Sequence, residues 1–385
     1  MLRSFEMVFH STLIQPLRNP VPRPISRDPT NNHRIMEPLA GLTPCKPSTN
    51  QIVIALGDPA GIGAEVTLKA LAHSQPTGME PVLVGCRRWL SETYQRLSKL
   101  GDGDLVDPAQ LDMVDLPLEA PITPGQSGAA AGEASFAWLT RAAELVMERG
   151  CKALVTAPIA KASWHAAGHA YPGQTERLAE LAGVPGASML FTARAPRGHW
   201  RFNTLLATTH IPLSEVPRQL NPAVVTHQLD VLLDFCHRFS PHPQLVVAGL
   251  NPHAGEGGHL GSEEQDWLHS TLSHWQERHG DVRLEGPVPP DTCWMAAAAA
   301  WRGTTVGPDG FLALYHDQGL IPLKLLAFDA AVNTSLGLPF LRTSPDHGTA
   351  FGIAGRGVAR ADSMGAAIAT AWELGVAPLA RLKQA

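Results

Sequence analysis

The chain has no CxxC pair, no apolar run of the about 18–20 residues that a membrane-spanning helix needs, and no block of basic residues. Its five cysteines, Cys45, Cys86, Cys151, Cys236 and Cys293, are odd in number and widely scattered. That pattern argues against a disulfide framework or a thiolate zinc site and fits a reducing cytoplasm. With 17% charged residues and a net charge of −5, a general nucleic-acid-binding role is disfavoured, and no membrane partner is expected. Histidine, by contrast, is plentiful, with 17 among 385 residues, and the excess raises a metal site as a hypothesis. A 44% hydrophobic content over this length suits one large α/β domain or two domains with a substantial core.

Residues 1–50 differ from all that follows. They are rich in proline, arginine, asparagine and serine, with Glu6, Asp28 and Glu37 as the acids, and they show no periodicity. We expect a disordered extension there. An organelle transit peptide or an over-long gene start, with Met36 as the true first residue, would have the same composition.

From Gln51 onward, short apolar strands alternate with helical stretches. Strands are expected at Ile52–Leu56, Val82–Gly85, Leu111–Asp115, Ala153–Thr156, Met189–Thr192, Thr204–Thr208, Leu245–Gly249 and Phe311–Tyr315. Helices are expected at Glu65–His73, Trp89–Leu100, from an N-cap at Ser127 to about Arg149, at Ile159–Ala167, Arg177–Ala182, from Asn221 to about Phe239, at Ser262–Trp275, at Cys293–Trp301, and from Ala361 or Asp362 onward. The alternation predicts an α/β fold with a largely parallel, helix-covered sheet. Residues 51–385 form one catalytic region in this view, with two sub-domains around a cleft.

Three histidines share one local grammar: His210 ends LLATTH, His253 follows AGLNP, and His316 ends LALY. Each lies just beyond the carboxyl end of an expected strand, where open α/β sheets bind ligands. Three imidazoles would suit a transition metal and leave a position for substrate. His227, His237, His274 and His279 fall in or beside helices and are read as solvated. The segment GDPAGIGAE is either an anion-binding helix start or a tight strand-to-helix turn; its spacing matches no generic nucleotide motif. Lys324, on a strand-like run from Leu320 to Phe328, and Arg342, in an ordered loop from Gly337 to Gly357, offer charges suited to an anionic ligand.

Taken together, GDPAGIG, VTAPIAK, YPGQTE, LATTHIPL, GLNPHAGEGG, YHDQGLIPLK and GLPFLRTSPDHGTA resemble the 4-hydroxythreonine-4-phosphate dehydrogenase family of vitamin B6 synthesis. The resemblance runs from about Gln51 to the C-terminus. It implies an isocitrate/isopropylmalate dehydrogenase-like α/β/α sandwich of two domains, and a homodimer with the active site at the subunit interface. It also implies NAD- or NADP-linked oxidation of 4-phosphooxy-L-threonine, with a divalent metal: zinc, or alternatively magnesium or cobalt. The family's metal ligands match His210, His253 and His316, and its substrate contacts match Thr175, Lys324, Asn333 and Arg342. By looser analogy with the NAD loop of isocitrate-type enzymes, His347, Gly348 and Thr349 become cofactor contacts. Asp317 and Asp346 are candidates for the proton acceptor, or could orient a neighbouring histidine.

Three positions depart from the family pattern. Gln174 stands where the substrate-contacting histidine of the GHTE motif is usual, Gly352 replaces a frequent acidic residue, and Arg360 stands where the analogous NAD loop of the isocitrate-type enzymes carries an adenine-reading asparagine. Competing functions are a dehydrogenase for another phosphorylated hydroxy-acid or a dihydrodiol, a phosphate acyltransferase on a related architecture, and a metal-dependent hydrolase.

Overall fold

The computed structural model describes residues 50–101, 103–151 and 153–376. The extension expected over 1–50 therefore lies, apart from Asn50, outside the described residues.

In chain order the elements are β1 Gln51–Ala55, α1 Gly63–Ser74, β2 Glu80–Gly85, α2 Arg87–Leu100, β3 Asp112–Asp115, α3 Ala129–Arg149, β4 Ala153–Thr156, α4 Lys161–Ala166, α5 Gln174–Ala182, β5 Ser188–Arg194 and β6 Arg201–Leu206. They continue with α6 Val216–Gln219, α7 Pro222–Cys236, β7 Gln244–Ala248, α8 His269–Arg278, β8 Arg283–Val288, α9 Met295–Trp301, β9 Gly310–Ala313, α10 His316–Ala327, β10 Val332–Leu336, β11 Leu341–Pro345 and α11 Asp362–Ala371. The strands form one mixed sheet in the order β3-β2-β1-β4-β11-β10-β5-β6-β9-β7-β8. Every neighbouring pair is parallel except β11–β10, β10–β5 and β5–β6. The sheet thus consists of two parallel blocks running in opposite directions, joined through an antiparallel middle. The strands β1, β4, β6 and β9 are buried along their whole length. Strands of that kind have both faces covered, which accounts for the near-continuous apolar sequences of β1, β4 and β9.

The expected α/β alternation is present, with local corrections. The run from Leu320 to Phe328 is not a strand but most of α10. Its all-round apolar character hides the helical period, and Pro322 argues locally against a helix interior. Burial shows the period: Leu320, Leu323 and Ala327 face inward while Ile321, Leu325 and Phe328 stay exposed. Residues Gly337 to Gly357 are not a continuous loop, because β11 lies within them and Arg342 is its second residue. The long helix α3 starts at Ala129, after Gly128 and without a side-chain cap, so Ser127 does not cap it. Gln174 and Thr175 belong to the first turn of α5, which begins before Arg177. The helix expected from Ser262 opens with a π-helical turn, Glu264–Leu268, ahead of α8.

One buried polar connection ties the two ends of the described chain together. On α1, Lys69 Nζ donates to the carbonyls of Gly357 and Ala359 and to Glu65 Oε1, the last two at 3.0 Å. Glu65 Oε1 in turn accepts the Ala359 N–H at 2.8 Å. Both side chains are almost fully buried. Removing one partner of such a pair strands the other charge. Glu65→Ala is therefore expected to lower the free energy of unfolding by about 3–5 kcal/mol, read as an earlier midpoint in urea denaturation; an unchanged midpoint would show that the connection contributes nothing.

Candidate active site

The antiparallel middle of the sheet is also where polar side chains gather. Asn333 and Ser335 alternate along β10, Arg342 and Ser344 along β11, and the register pairs Asn333 with Ser344 and Ser335 with Arg342. With a side-chain period of two, these four residues share one face of the sheet. They floor a cleft of about 660 Å³, whose walls come from the residues after β4, the start of α5 and the segment after β6.

Arg342 is the dominant charge there. It is only 4% exposed, and its guanidinium is held by neutral hydroxyls. Nε and Nη2 donate to Thr156 Oγ1 on β4, at 3.0 and 2.8 Å, and Nη1 donates to Ser335 Oγ on β10 at 3.2 Å. Among the described residues no carboxylate pairs with it. Burial pushes its pKa down to about 10, with the Glu176 carboxylate opposing. A desolvated cation held only by neutral groups is a site built for an incoming anion.

Among the described residues, three buried polar atoms in the cleft have no hydrogen-bond partner: Asn333 Oδ1, Gln174 Oε1 and His347 Nε2. Gln174 donates through Nε2 to the Ala157 carbonyl at 3.3 Å, which directs its amide oxygen away from that contact. Thr175 lies beside it in the wall. Orphaned buried groups of this kind are few in folded proteins. Here they lie together.

The histidines emerge from three neighbouring parallel strands. His210 follows β6, His316 follows β9 as the first residue of α10, and His253 follows β7. The segments after β6 and β9 are tied by Ala207 N–H to the Ala313 carbonyl and by Thr208 Oγ1 to the Leu314 carbonyl, both at 2.8 Å. Gly319 lets α10 press against β6, since a Cβ there would sit 2.7 Å from Thr204 Cγ2. The His210 and His316 rings consequently lie 5.5 Å apart. Burial holds the His210 pKa below its ordinary value, with the nearby His316 and Lys161 acting in the same direction and Glu176 against it. His316 Nδ1 faces Asp317 Oδ1 at 2.7 Å.

His253 is not brought to this pair. Among the described residues no group of three or more His, Cys, Asp or Glu is gathered closely enough to hold a metal. Lys324, on α10, reaches the cleft through Asp346, with its Nζ 2.9 Å from Oδ2. Asp317 and Asp346 are thus each engaged by a neighbouring cation or imidazole. His347 and Gly348 line the cleft, and Thr349 packs behind them: its carbonyl accepts the Ile62 N–H at 3.0 Å, and a Cβ on Gly61 would lie 2.9 Å from that same oxygen. The GDPAGIG segment therefore seats the chain's own loop at the start of α1. Of the remaining histidines, His279 is half-buried and stacked on Trp275 at 4.0 Å rather than solvated.

Lys161, Glu176, Ser335 and Ser344 also line the cleft and were not singled out from the sequence. The available signal was positional: Lys161 follows β4, the parallel neighbour of β11, at the ligand-binding end.

Comparison with known proteins gives the family. The family model of the pyridoxal phosphate biosynthetic protein PdxA matches residues 77–371. A 4-hydroxythreonine-4-phosphate dehydrogenase of Synechococcus sp. (strain RCC307) is 63% identical over 328 residues, covering 84% of this chain and 99% of the relative. A D-threonate 4-phosphate dehydrogenase of Pectobacterium atrosepticum is 38% identical over 340 residues, covering 84% of this chain and 98% of the relative. The crystal structure of the Klebsiella pneumoniae 4-hydroxythreonine-4-phosphate dehydrogenase is similar with a TM-score of 0.72 and 37% identity, covering 85% of this chain and 98% of that one. With the family model spanning most of the fold and relatives matching over nearly their whole length, the chain belongs to the PdxA family of pyridoxal phosphate biosynthetic proteins.

Proposed function

We propose that this protein is a 4-hydroxythreonine-4-phosphate dehydrogenase that oxidises 4-phosphooxy-L-threonine with NAD or NADP. The C3 alcohol gives up a hydride to the nicotinamide and a proton to the site. The resulting β-keto acid loses CO2 to leave 3-amino-2-oxopropyl phosphate, a step in vitamin B6 synthesis. The observation that carries this reading is Arg342, a buried guanidinium with no carboxylate paired to it among the described residues, on the floor of a cleft also lined by His210 and His347.

Each residue then has a task. Arg342 binds an anionic end of the substrate, and Lys324, kept in place by Asp346, supplies a second cation. Thr175 and Asn333 orient the chain between them, and the free Gln174 oxygen accepts a hydrogen bond that the family's usual histidine would handle differently. His347 and Gly348 face the cleft from the loop assigned to the dinucleotide, with Thr349 fixing that loop on Ile62. The unpartnered His347 nitrogen fits such a role.

The donor set also fits a divalent metal, zinc first and magnesium or cobalt as alternatives. His210 is pushed toward the neutral, ligating form, and the Asp317 carboxylate orients the His316 ring through Nδ1, leaving Nε2 free. A divalent ion held by these imidazoles would supply Lewis-acid chemistry, lowering the pKa of the reacting hydroxyl and polarising the ketone. The third ligand, His253, would come from a second copy of the chain. The outer face of α10 supports such a partner: Ile321, Leu325 and Phe328 are 59%, 80% and 69% exposed on the helix that begins with His316. We place this homodimer in the cytoplasm, in keeping with the free, buried cysteines among the described residues.

Turnover of 4-phosphooxy-L-threonine followed by NAD(P)H absorbance should stop on chelation and return with added zinc, and His210→Ala should lose both metal and activity. Undiminished turnover by metal-free protein would end the metal assignment. Arg342→Ala should raise KM for the phosphorylated substrate by about 10- to 100-fold, as expected for one lost charge-assisted hydrogen-bonded contact; an unchanged KM would remove Arg342 from anion binding. Leu325→Arg should shift the sedimentation of the protein toward the monomer and lower its metal content together. A variant that still sediments as a dimer would place the interface elsewhere.

A further inference from the structure

His253 sits in a turn whose backbone is left-handed. Its φ is 53°, followed by 51° at Ala254, 81° at Gly255, 42° at Glu256 and 66° at Gly257. Single residues visit this region, but runs of L-residues do not persist there without support. Two buried polar side chains supply it.

Glu264, fully buried, accepts the N–H groups of Leu250 and Asn251 on Oε1, both at 2.8 Å. Its Oε2 accepts from Asn251 Nδ2, also at 2.8 Å. The same oxygen packs against the turn, where a Cβ on Gly255 would lie 2.9 Å from it. Gln318, two residues beyond His316, takes the Leu314 N–H on Oε1 and donates from Nε2 to the Gly249 carbonyl, each at 2.7 Å. Gly249 is the residue that leaves β7 toward His253. One amide therefore joins the root of the His253 turn to the start of the His316 helix. Neither side chain lines the cleft, and among the described residues Glu264 has no ion pair. Burying a carboxylate and an amide is costly unless their hydrogen bonds are filled, and these are filled by the backbone at 249–251 and 314 and by the Asn251 side chain.

We infer that Glu264 and Gln318 are positioning residues for the metal site: they hold the left-handed turn and so fix the direction in which His253 leaves the sheet. This rests on His253 being a ligand. A purely architectural role would lower stability and leave the ligand field of a bound metal as it was, whereas a positioning role alters that field and the affinity.

The test uses full-length protein, stripped of metal and titrated with cobalt(II), reading the visible absorption and, by chelator competition, the affinity. Glu264→Ala should weaken cobalt binding by about 10- to 100-fold, the range typical of lost outer-sphere support, and change the spectrum. Glu264→Gln keeps the oxygen that receives Leu250 and Asn251 but loses the acceptor for Asn251 Nδ2, and should fall between the parent and Glu264→Ala. Gln318→Met should weaken binding in the same sense. Parent-like affinity and spectrum in Glu264→Ala or in Gln318→Met would overturn the inference, as would equal damage from Glu264→Gln and Glu264→Ala. Should Glu264→Ala fail to fold, the Gln and Met variants decide. His253→Ala separates the two levels: if it binds cobalt as the parent does, the ligand assignment itself has failed.

Discussion

A guanidinium inside a β-sheet must be met by something, and most of this structure's polar organisation follows from how Arg342 is met. Its hydrogen bonds go to a threonine on β4 and a serine on β10, the strands on either side of its own. Hydroxyls accept from its N–H groups, while Glu176 offsets the charge only from beyond hydrogen-bond reach, and a buried ion without a direct partner costs several kcal/mol. A ligand that brings a negative charge, as proposed for the substrate, would offset that cost. β10 and β11 accordingly read VNTSL and LRTSP, where β1 and β4 on one side of them read QIVIA and ALVT.

The reversal of strand direction at this point serves the same end. Were the sheet parallel throughout, the strand ends that carry ligand-binding loops would all lie along one edge. Here the block carrying β4 and β11 runs opposite to the block carrying β6, β9 and β7. The cleft between them draws loops from both. The segment after β4 and the HGTA loop come from one block, and His210 comes from the other. A parallel sheet alone would not bring Arg342 and His210 to one cleft from strands of opposite direction.

Much of this was legible in the sequence, and the omissions have physical causes. The first strands and the three strand-end histidines stand out because buried parallel strands are apolar and short and end abruptly in polar loops. β10 and β11 did not stand out, since strands that floor a polar cleft lose their apolar signature. α10 was mistaken because the stretch from Leu320 to Phe328 is apolar on every side, with one side turned to the core and the other exposed. The cleft residues Glu176 and Lys161 went unnoticed for a different reason. An isolated charge near a helix start looks the same in sequence whether it meets solvent or a site.

The separation of His253 from His210 and His316 has one more consequence. If the third imidazole belongs to a second copy, metal binding and subunit association are linked by mass action, each strengthening the other. Dilution would then act as a chelator does. An assay run at very low enzyme concentration would lose activity out of proportion to the amount of protein, and added metal would recover it by drawing the subunits back together.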